Sequence, residues 1–362
     1  MNIIHICVVR EFTAGQLKQL GFEDTASAQL PNGAWTTLGL QTGPSNATFV
    51  RQIPWLFRPI FLRNLYGWMT VRRLSRQYDF VFLRHMGFDP FAFVFAPLFP
   101  NRMSVHHAKE IEELKLIRTG WKGKAASLLE HLSGKFVVSR SRAIIGVTRE
   151  IAEYERDLHR LDLPVHEFPN GIDETQISIL KDKRNLSELN IAFMCGTFSA
   201  WHGLDLLIDS VDAVSDQDVL QGMRFHLIGT VPEPLLKRVK VSAQFICYGR
   251  LKEADYKDVL SLCDIGLGSL AMFRQGLSEG ATLKNREMLC LGLPVYSTHK
   301  DTAFQDPFQF YHKDDAIDLE AMRNFAMQSK RISRKIVRDQ SIPHIQKKQI
   351  MIRTIDFLKG LD

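Results

Sequence analysis

"SEGATLKNREMLCLGLPVYS", residues 278–297, is the stretch on which the reading of this chain turns. A glycine-led loop runs into a helical segment at 282–291, Gly292 and Pro294 punctuate it, and a short β-branched and aromatic run follows. Loop, helix, turn and strand in that order form the repeating piece of a parallel α/β layer. A helix beginning near Thr282 presents unpaired backbone N–H groups and the positive end of its dipole, which suits a diphosphate. Lys284 puts a full positive charge in the first turn, where the dipole alone favours an acid, and such local conflicts cluster at functional sites. Glu287 falls three residues later on the same face, where a carboxylate can accept from sugar or ribose hydroxyls. The competing account is a Lys284–Glu287 surface ion pair worth a few tenths of a kcal/mol. Both remain open at this point.

Outward from this stretch the same rhythm continues. Strand-like "NIAFMCG" (190–196), "RFHLIG" (224–229), "QFICYG" (244–249) and "DIGLGSL" (264–270) alternate with helical "GLDLLIDSVDAV" (203–214) and "EADYKDVLSLC" (253–263). Leu204, Leu207, Ile208 and Val211 share one helical face. The first half repeats the pattern less clearly, with "NIIHICVV" (2–9), "DFVFLR" (79–84), "RAIIGVT" (142–148) and "VHEFPNG" (165–171) as strands. The class is therefore α/β with parallel sheets, and 362 residues suit two domains. The Pro-Asn-Gly turn in "FPNGIDETQ" (168–176) marks the boundary. We expect a first domain at 1–169, a second at 170–329, and a basic segment at 330–362 that Pro343 breaks before a last helix carrying Ile350, Ile352, Ile355 and Leu358.

Composition narrows the function classes. With 45% hydrophobic and 24% charged residues the chain is a folded protein, not a disordered or disulfide-stapled one. Its five cysteines are odd in number, widely spaced and mostly in apolar runs, as in a reducing compartment. The first residues read as a buried strand, not a signal peptide, and apolar runs such as "FAFVFAPLF" (91–99) are half a membrane span. No Gly-x-Gly-x-x-Gly follows a strand, which disfavours a nicotinamide enzyme. Asp216-Gln217-Asp218 follows a helix where a metal–nucleotide triplet would end a strand, so it reads as a connecting loop. The net charge of +6 is uneven: residues 1–168 carry 21 Lys+Arg against 15 Asp+Glu, residues 169–329 carry 16 against 22, and residues 330–362 carry 9 against 3.

Taken together, "AIIGVTREI", "FPNGID", "MCGTFSAWHGLDLLIDSV", "HLIG", "YGRLKEADYKDVLSLCDIGLGSL" and the Glu279/Glu287 segment running into "LGLPVYS" resemble the retaining, nucleotide-sugar-dependent glycosyltransferases of family 4. They occur in that family's order and spacing across residues 142–297. The resemblance implies the GT-B architecture, two Rossmann-like parallel-sheet domains facing a central cleft, with an N-terminal acceptor domain and a C-terminal donor domain. It implies that Glu287 holds the ribose, that the backbone of Gly280, Ala281, Thr282 and Leu283 with Lys284 holds the diphosphate, and that Glu279 holds the transferred sugar. Gly196, Thr197, His202 and Arg250 complete the donor site. One departure stands out: members carry an arginine and a lysine where this chain has Thr197 and His202. Lys284, Arg250 or His202 must then stabilise the leaving diphosphate, and Lys284 is favoured.

The resemblance also places a functional histidine in the first domain facing the sugar. In "SVHHAKEIEEL" (104–114) His106 and His107 both qualify, with His107 favoured and with Glu110 and Arg84 as further cleft residues. The pair with Glu110 lacks a third ligand at metal spacing, so no metal and no cofactor beyond the nucleotide-sugar substrate is expected. Residues 51–78 hold six arginines and no acid, interleaved with aromatics. Trp55, Trp68, Arg72, Arg73 and Arg76 are the residues expected at an anionic membrane surface; nucleic acid is not an expected partner, because no recognition module is present. The resulting expectation is a cytoplasmic hexosyltransferase, peripheral on the inner face of the membrane, using a glycan or glycolipid acceptor in cell-surface glycan synthesis. The rivals are a nucleotide-sugar epimerase of the same fold and an inactive membrane-associated binding protein.

Overall fold

The computed structural model describes residues 1–87, 89–112, 121–185, 187–214, 217–305 and 307–361. Asp216 of the acidic triplet lies outside them. The chain forms two compact units, Met1–Asp173 with Lys347–Asp362, and Glu174–Gln346.

The first unit is built on a seven-stranded sheet in which every neighbour pair is parallel. Its strands are β1 (Ile3–Val8), β2 (Trp35–Gln41), β3 (Val50–Gln52), β4 (Phe80–Arg84), β5 (Arg102–His106), β6 (Ala143–Gly146) and β7 (Val165–Glu167), in the order β3-β2-β1-β4-β5-β6-β7. Central strands such as β1, IIHICV, and β4, FVFLR, are buried almost throughout, so they read as continuous apolar runs and not as alternating ones. The chain leaves β1 in one direction and returns to its other side at β4, a strand-order reversal of the kind that opens a ligand crevice at the carboxyl ends. Helices α1 (Ala14–Ser27), α2 (Ile60–Leu74), α3 (Trp121–Ser139) and α4 (Arg149–His159) connect the strands.

Helix α2 corrects one expectation. Trp68 belongs to its buried face with Asn64, Gly67, Thr70 and Val71, is 0% exposed, and donates through Nε1 to Asp89 Oδ2 at 2.5 Å. Its ring stacks near Phe95 and Phe99, so it is a core residue and no membrane anchor. Phe61, two turns before Trp68, and Met69, next to it, are 49% and 47% exposed, so of these three only Trp68 turns into the core. Trp55, by contrast, is 76% exposed, and Arg72, Arg73 and Arg76 are exposed.

The second unit holds a six-stranded parallel sheet in the order β10-β9-β8-β11-β13-β15: β8 (Leu189–Thr197), β9 (Met223–Thr230), β10 (Phe245–Gly249), β11 (Ile265–Leu267), β13 (Val295–Ser297) and β15 (Tyr311–Lys313). A separate two-stranded ladder pairs β12 (Glu279–Gly280) with β14 (Lys300–Asp301). The helices used below are α5 (Leu204–Asp212), α6 (Glu233–Val241), α7 (Glu253–Leu262), α8 (Leu283–Leu291), α9 (Leu319–Lys330) and α10 (Arg334–Ile345). Leu204, Leu207, Ile208 and Val211 are all buried, as their spacing required. Pro343 sits in the last turn of α10, which ends at Ile345, and a separate last helix begins at Lys347.

The segment 330–362 is shared. Residues to Gln346 belong to the second unit, and α11 (Lys347–Lys359) belongs to the first, where Ile350, Met351 and Leu358 join a core with Trp35, Phe80 and Phe168. Entry into α11 requires Gly171, because a Cβ there would lie 2.6 Å from Lys347 Cα. Lys347 is fully buried, with Nζ 3.6 Å from Glu23 Oε2 and 3.4 Å from the centroid of the Phe168 ring. Glu23 also accepts from Trp35 Nε1 at 2.8 Å and pairs with His5 Nδ1 at 2.8 Å. This sharing also changes the charge division. The first unit carries 25 Lys+Arg against 18 Asp+Glu and the second 21 against 22, a milder contrast than a wholly first-lobe tail would produce.

Candidate active site

In the second unit the 278–297 stretch folds as its composition suggests, with Thr282 as the extended residue before α8 and no side chain capping the helix. The Oγ1 of Thr282 is buried and has no hydrogen-bond partner, so the amino end of α8 keeps unmet polar groups. Gly280 must be glycine, since a Cβ would sit 2.7–2.8 Å from the ring of His299. His299 itself is pinned through Nδ1 to Ser269 O at 3.0 Å, and burial lowers its pKa to about 4, so it is a neutral wall.

Lys284 is half-buried, and its Nζ rests 3.6 Å from Cys195 Sγ and 5.1 Å from the centroid of the Phe193 ring. No ion pair to a carboxylate engages it among the described residues. The surface pair with Glu287 is therefore not formed. Glu287 is instead 5% exposed and accepts from Tyr256 Oη of α7 at 2.8 Å. Burial lowers the pKa of Lys284, the signature of a cation short of an anion, and raises that of the Cys195 thiol beside it, which keeps the thiol protonated. Glu279, on β12, has its Oε1 3.5 Å from Lys300 Nζ on β14.

At the carboxyl end of β8, Gly196 and Thr197 are exposed, and nothing lies within 4 Å of a Cβ built at Gly196. The structure supplies a cation at Thr197 from another strand. Arg250, just after β10, donates from Nη2 to Thr197 Oγ1 at 3.2 Å and from Nε to Thr230 Oγ1 at 3.1 Å. His202 does not supply one: its Nδ1 accepts from Ser199 N at 2.9 Å, and burial, with Lys284 nearby, lowers its pKa to about 3. It remains a neutral hydrogen-bonding group, which leaves Lys284 and Arg250 as the candidate cations.

In the first unit, Arg84 ends β4, His106 ends β5 and His107 follows it, all at the carboxyl edge of the sheet. The two histidines differ sharply. His106 is 1% exposed, pairs through Nδ1 with Glu110 Oε1 at 3.0 Å and through Nε2 with Ser104 Oγ at 2.8 Å. A third potential ligand, absent from the local sequence, comes from α4: donor atoms of His106, Glu110 and Glu155 lie within 4.8 Å of one another. No third ligand stands at metal spacing in the local sequence; the fold brings one to the pair from Glu155, 45 residues beyond Glu110. The surrounding groups compensate one another, with His85 Nε2 at 2.5 Å from Glu130 Oε1 and His159 Nε2 at 3.5 Å from Glu155 Oε2. Burial lowers the His106 pKa to about 3, while Glu130 helps hold His85 up at about 9 against burial. His107 is half-buried and outside this cluster; burial, with Arg84 next, holds its pKa well below the usual value.

Several of these partners carried no sequence signal: Tyr256, Cys195 and Glu155 are ordinary residues of their own elements. Arg286, between two polar residues in the sequence, carried none either. It lies in α8 between the buried Asn285 and Glu287, is 0% exposed, and pairs with Asp301 Oδ1 at 2.7 Å, tying α8 to β14. A buried arginine requires such an acid.

Compared with protein-family models the chain matches none, and it matches no curated protein sequence. Solved structures do match. HepE from Anabaena, in complex with UDP and glucose, is 12% identical with a TM-score of 0.61 over 99% of this chain and 100% of that one. The lipopolysaccharide outer core galactosyltransferase WaaB in its apo form is 12% identical with a TM-score of 0.62 over 99% and 100%. Sucrose-phosphate synthase from Thermosynechococcus elongatus is 13% identical with a TM-score of 0.62 over 100% and 99%. At this identity the likeness establishes the fold: two Rossmann-like parallel-sheet units of the GT-B type.

Proposed function

We propose that this protein is a glycosyltransferase that moves a hexose from a nucleoside diphosphate sugar to an acceptor hydroxyl with retention of configuration. The observation that carries the reading is Lys284: a half-buried cation without a carboxylate, in the first turn of an uncapped helix, with a buried glutamate one turn on. An anion with several oxygens beside a hydroxyl-bearing ring satisfies all three features. The fold is that of solved proteins whose own names speak of UDP, glucose and galactosyl transfer, which supports the same class here.

In this reading Glu287, steadied by Tyr256, accepts from the ribose hydroxyls, and Glu279 contacts the sugar. The backbone of residues 280–283, with Lys284, Arg250, Thr197 and Gly196, surrounds the diphosphate. The bond from the anomeric carbon to the phosphate oxygen breaks, and the acceptor oxygen bonds to that carbon on the same face. The acceptor proton passes to the departing phosphate oxygen. Charge then gathers on the nucleoside diphosphate, where preoriented cations and N–H groups act most strongly. His107, less buried than His106 and free of the glutamate cluster, contacts the sugar as a neutral donor or acceptor. No resident metal takes part.

The first unit takes the acceptor, a glycan or glycolipid of cell-surface synthesis, at the cytoplasmic face of the membrane. No helix of the described residues is long and apolar enough to cross a membrane. Exposed Trp55, Leu56 and Phe61 just before and at the start of α2, with exposed Arg72, Arg73 and Arg76 at and beyond its end, support peripheral contact with an anionic surface. The test is release of nucleoside diphosphate from UDP-, GDP- and ADP-sugars by the purified chain. Turnover of one donor that is lost in Glu279→Gln supports the proposal. A donor returned as its epimer, or no turnover of any donor, overturns it.

A further inference from the structure

The carboxyl edge of the first sheet holds a second cationic site, lined by none of the catalytic or donor-site candidates above. Arg10, two residues beyond β1, Thr42, directly after β2, and Arg58, Pro59, Ile60 and Arg63 at the start of α2 line a pocket of about 590 Å³. Its charged lining consists of three guanidinium groups and no carboxylate. Among the described residues none of the three makes an ion pair, and Arg63 Nε is buried with no hydrogen-bond partner. Burial, then the charge of Arg10, lowers the pKa of Arg63, so the like charges are felt.

Arg10 and Arg58 are exposed and Arg63 is partly buried, so their mutual repulsion is softened by solvent, and an anion entering between them relieves what remains. A carboxylate engages one guanidinium in a fork, whereas a phosphate has enough oxygens to engage all three. The pocket falls within the roughly 300–1,000 Å³ common for small-molecule sites, more than a bare phosphate fills. The source of the phosphate follows from its rim. Ile60, a lining residue, is 41% exposed, and Trp55, Leu56 and Phe61 on the same segment are 76%, 55% and 49% exposed. A cationic hole lined on one side by an exposed apolar residue, on a segment that carries three more, fits a phosphate carried on a lipid better than one free in water.

We propose that this pocket binds the phosphate group of a membrane-anchored lipid acceptor. The inference rests on the reading that the first unit takes the acceptor, and narrows the acceptor class to phospholipid-like molecules with a sugar or polyol hydroxyl.

The test uses the full chain and cosedimentation with phosphatidylcholine vesicles containing either phosphatidic acid or, at equal surface charge, phosphatidylserine. Wild type is expected to favour the phosphatidic acid vesicles, and the double variant Arg10→Gln/Arg63→Gln to lose that preference, with binding about tenfold weaker. Equal binding to both vesicles, or an unchanged double variant, overturns the proposal. Glycerol 3-phosphate alone, followed by calorimetry, separates the sources: binding as tight as to vesicles overturns the lipid assignment. A nucleoside diphosphate thermal shift on the same variant shows that it is folded. If that shift is absent from wild type as well, the donor reading has failed, while the vesicle result still judges the phosphate pocket.

Discussion

Replacing Lys284 by methionine separates function from folding more cleanly than any other change in the second unit. Methionine keeps the unbranched stem against Phe193 and removes only the charge. The stability cost is small. The lost ammonium–ring contact is worth about 0.5–1 kcal/mol, and relief of a desolvated, unpaired cation acts in the opposite direction. The melting temperature should therefore stay within about 2–4 °C of wild type for a unit of this size. The catalytic cost is large. At about 4 Å and an effective dielectric near 20, an ammonium and one phosphate charge attract by roughly 4 kcal/mol. Removing one preorganised group from a site of developing negative charge typically costs about 10²–10³ in kcat. Single-turnover kinetics with the active donor, calorimetry with the nucleoside diphosphate and a thermal melt together form the assay. Turnover near wild type would refute the role of Lys284, and so would a loss of turnover accompanied by a comparable collapse of stability.

Four further outcomes are expected. The buried His5–Glu23–Lys347 cluster makes the first unit sensitive to pH at both ends. Glu23 is held down, to about 2, by His5 and then Lys347 against burial, so its contribution is present above its ordinary 4.5 and lost as pH falls toward 2. His5 is held up, to about 10, by Cys7 and then Glu23 against burial, so its contribution is present below 6.5 and lost as pH rises toward 10. Maximum thermal stability near pH 5–6 is expected, and a Glu23→Gln variant that keeps the full acid limb would contradict the assignment. Chelation with EDTA should leave turnover unchanged; activity lost to EDTA and restored by a divalent ion would place metal chemistry at His106, Glu110 and Glu155. Cosedimentation with anionic vesicles should weaken when Arg72, Arg73 and Arg76 are neutralised, and unchanged binding would remove the membrane reading. Trp68→Ala should instead destabilise the fold by about 3–5 kcal/mol.

Much of this architecture was legible because parallel strands buried on both faces write themselves as apolar runs: β1, β4, β6 and β11 lie within stretches readable from sequence, and β8 and β9 overrun theirs by one residue at each end. β2, WTTLGLQ, was missed because threonines and a glycine dilute its apolar pattern, although six of its seven residues are buried. Trp68 shows the limit of periodicity, which identifies a helix's apolar stripe but not whether that stripe faces protein or lipid. Glu287 and Lys284 could be singled out because they share one helix turn, where spacing determines proximity. Arg250 beside Thr197, Tyr256 on Glu287 and Glu155 beside His106 are neighbours only through strand order and helix packing, and their separations of 53, 31 and 49 residues carry no local pattern.

The central claim is that the second unit is a nucleoside diphosphate site, and thermal-shift measurement of the full chain with UDP, GDP, ADP, CMP and TDP tests it most directly. A ligand at a hundredfold its dissociation constant adds about 2.7 kcal/mol, which for a unit of this size raises the melting temperature by roughly 5–10 °C. The account predicts such a shift with at least one diphosphate, a smaller one with CMP, and its loss in Lys284→Met. No shift with any of the five nucleotides would contradict it.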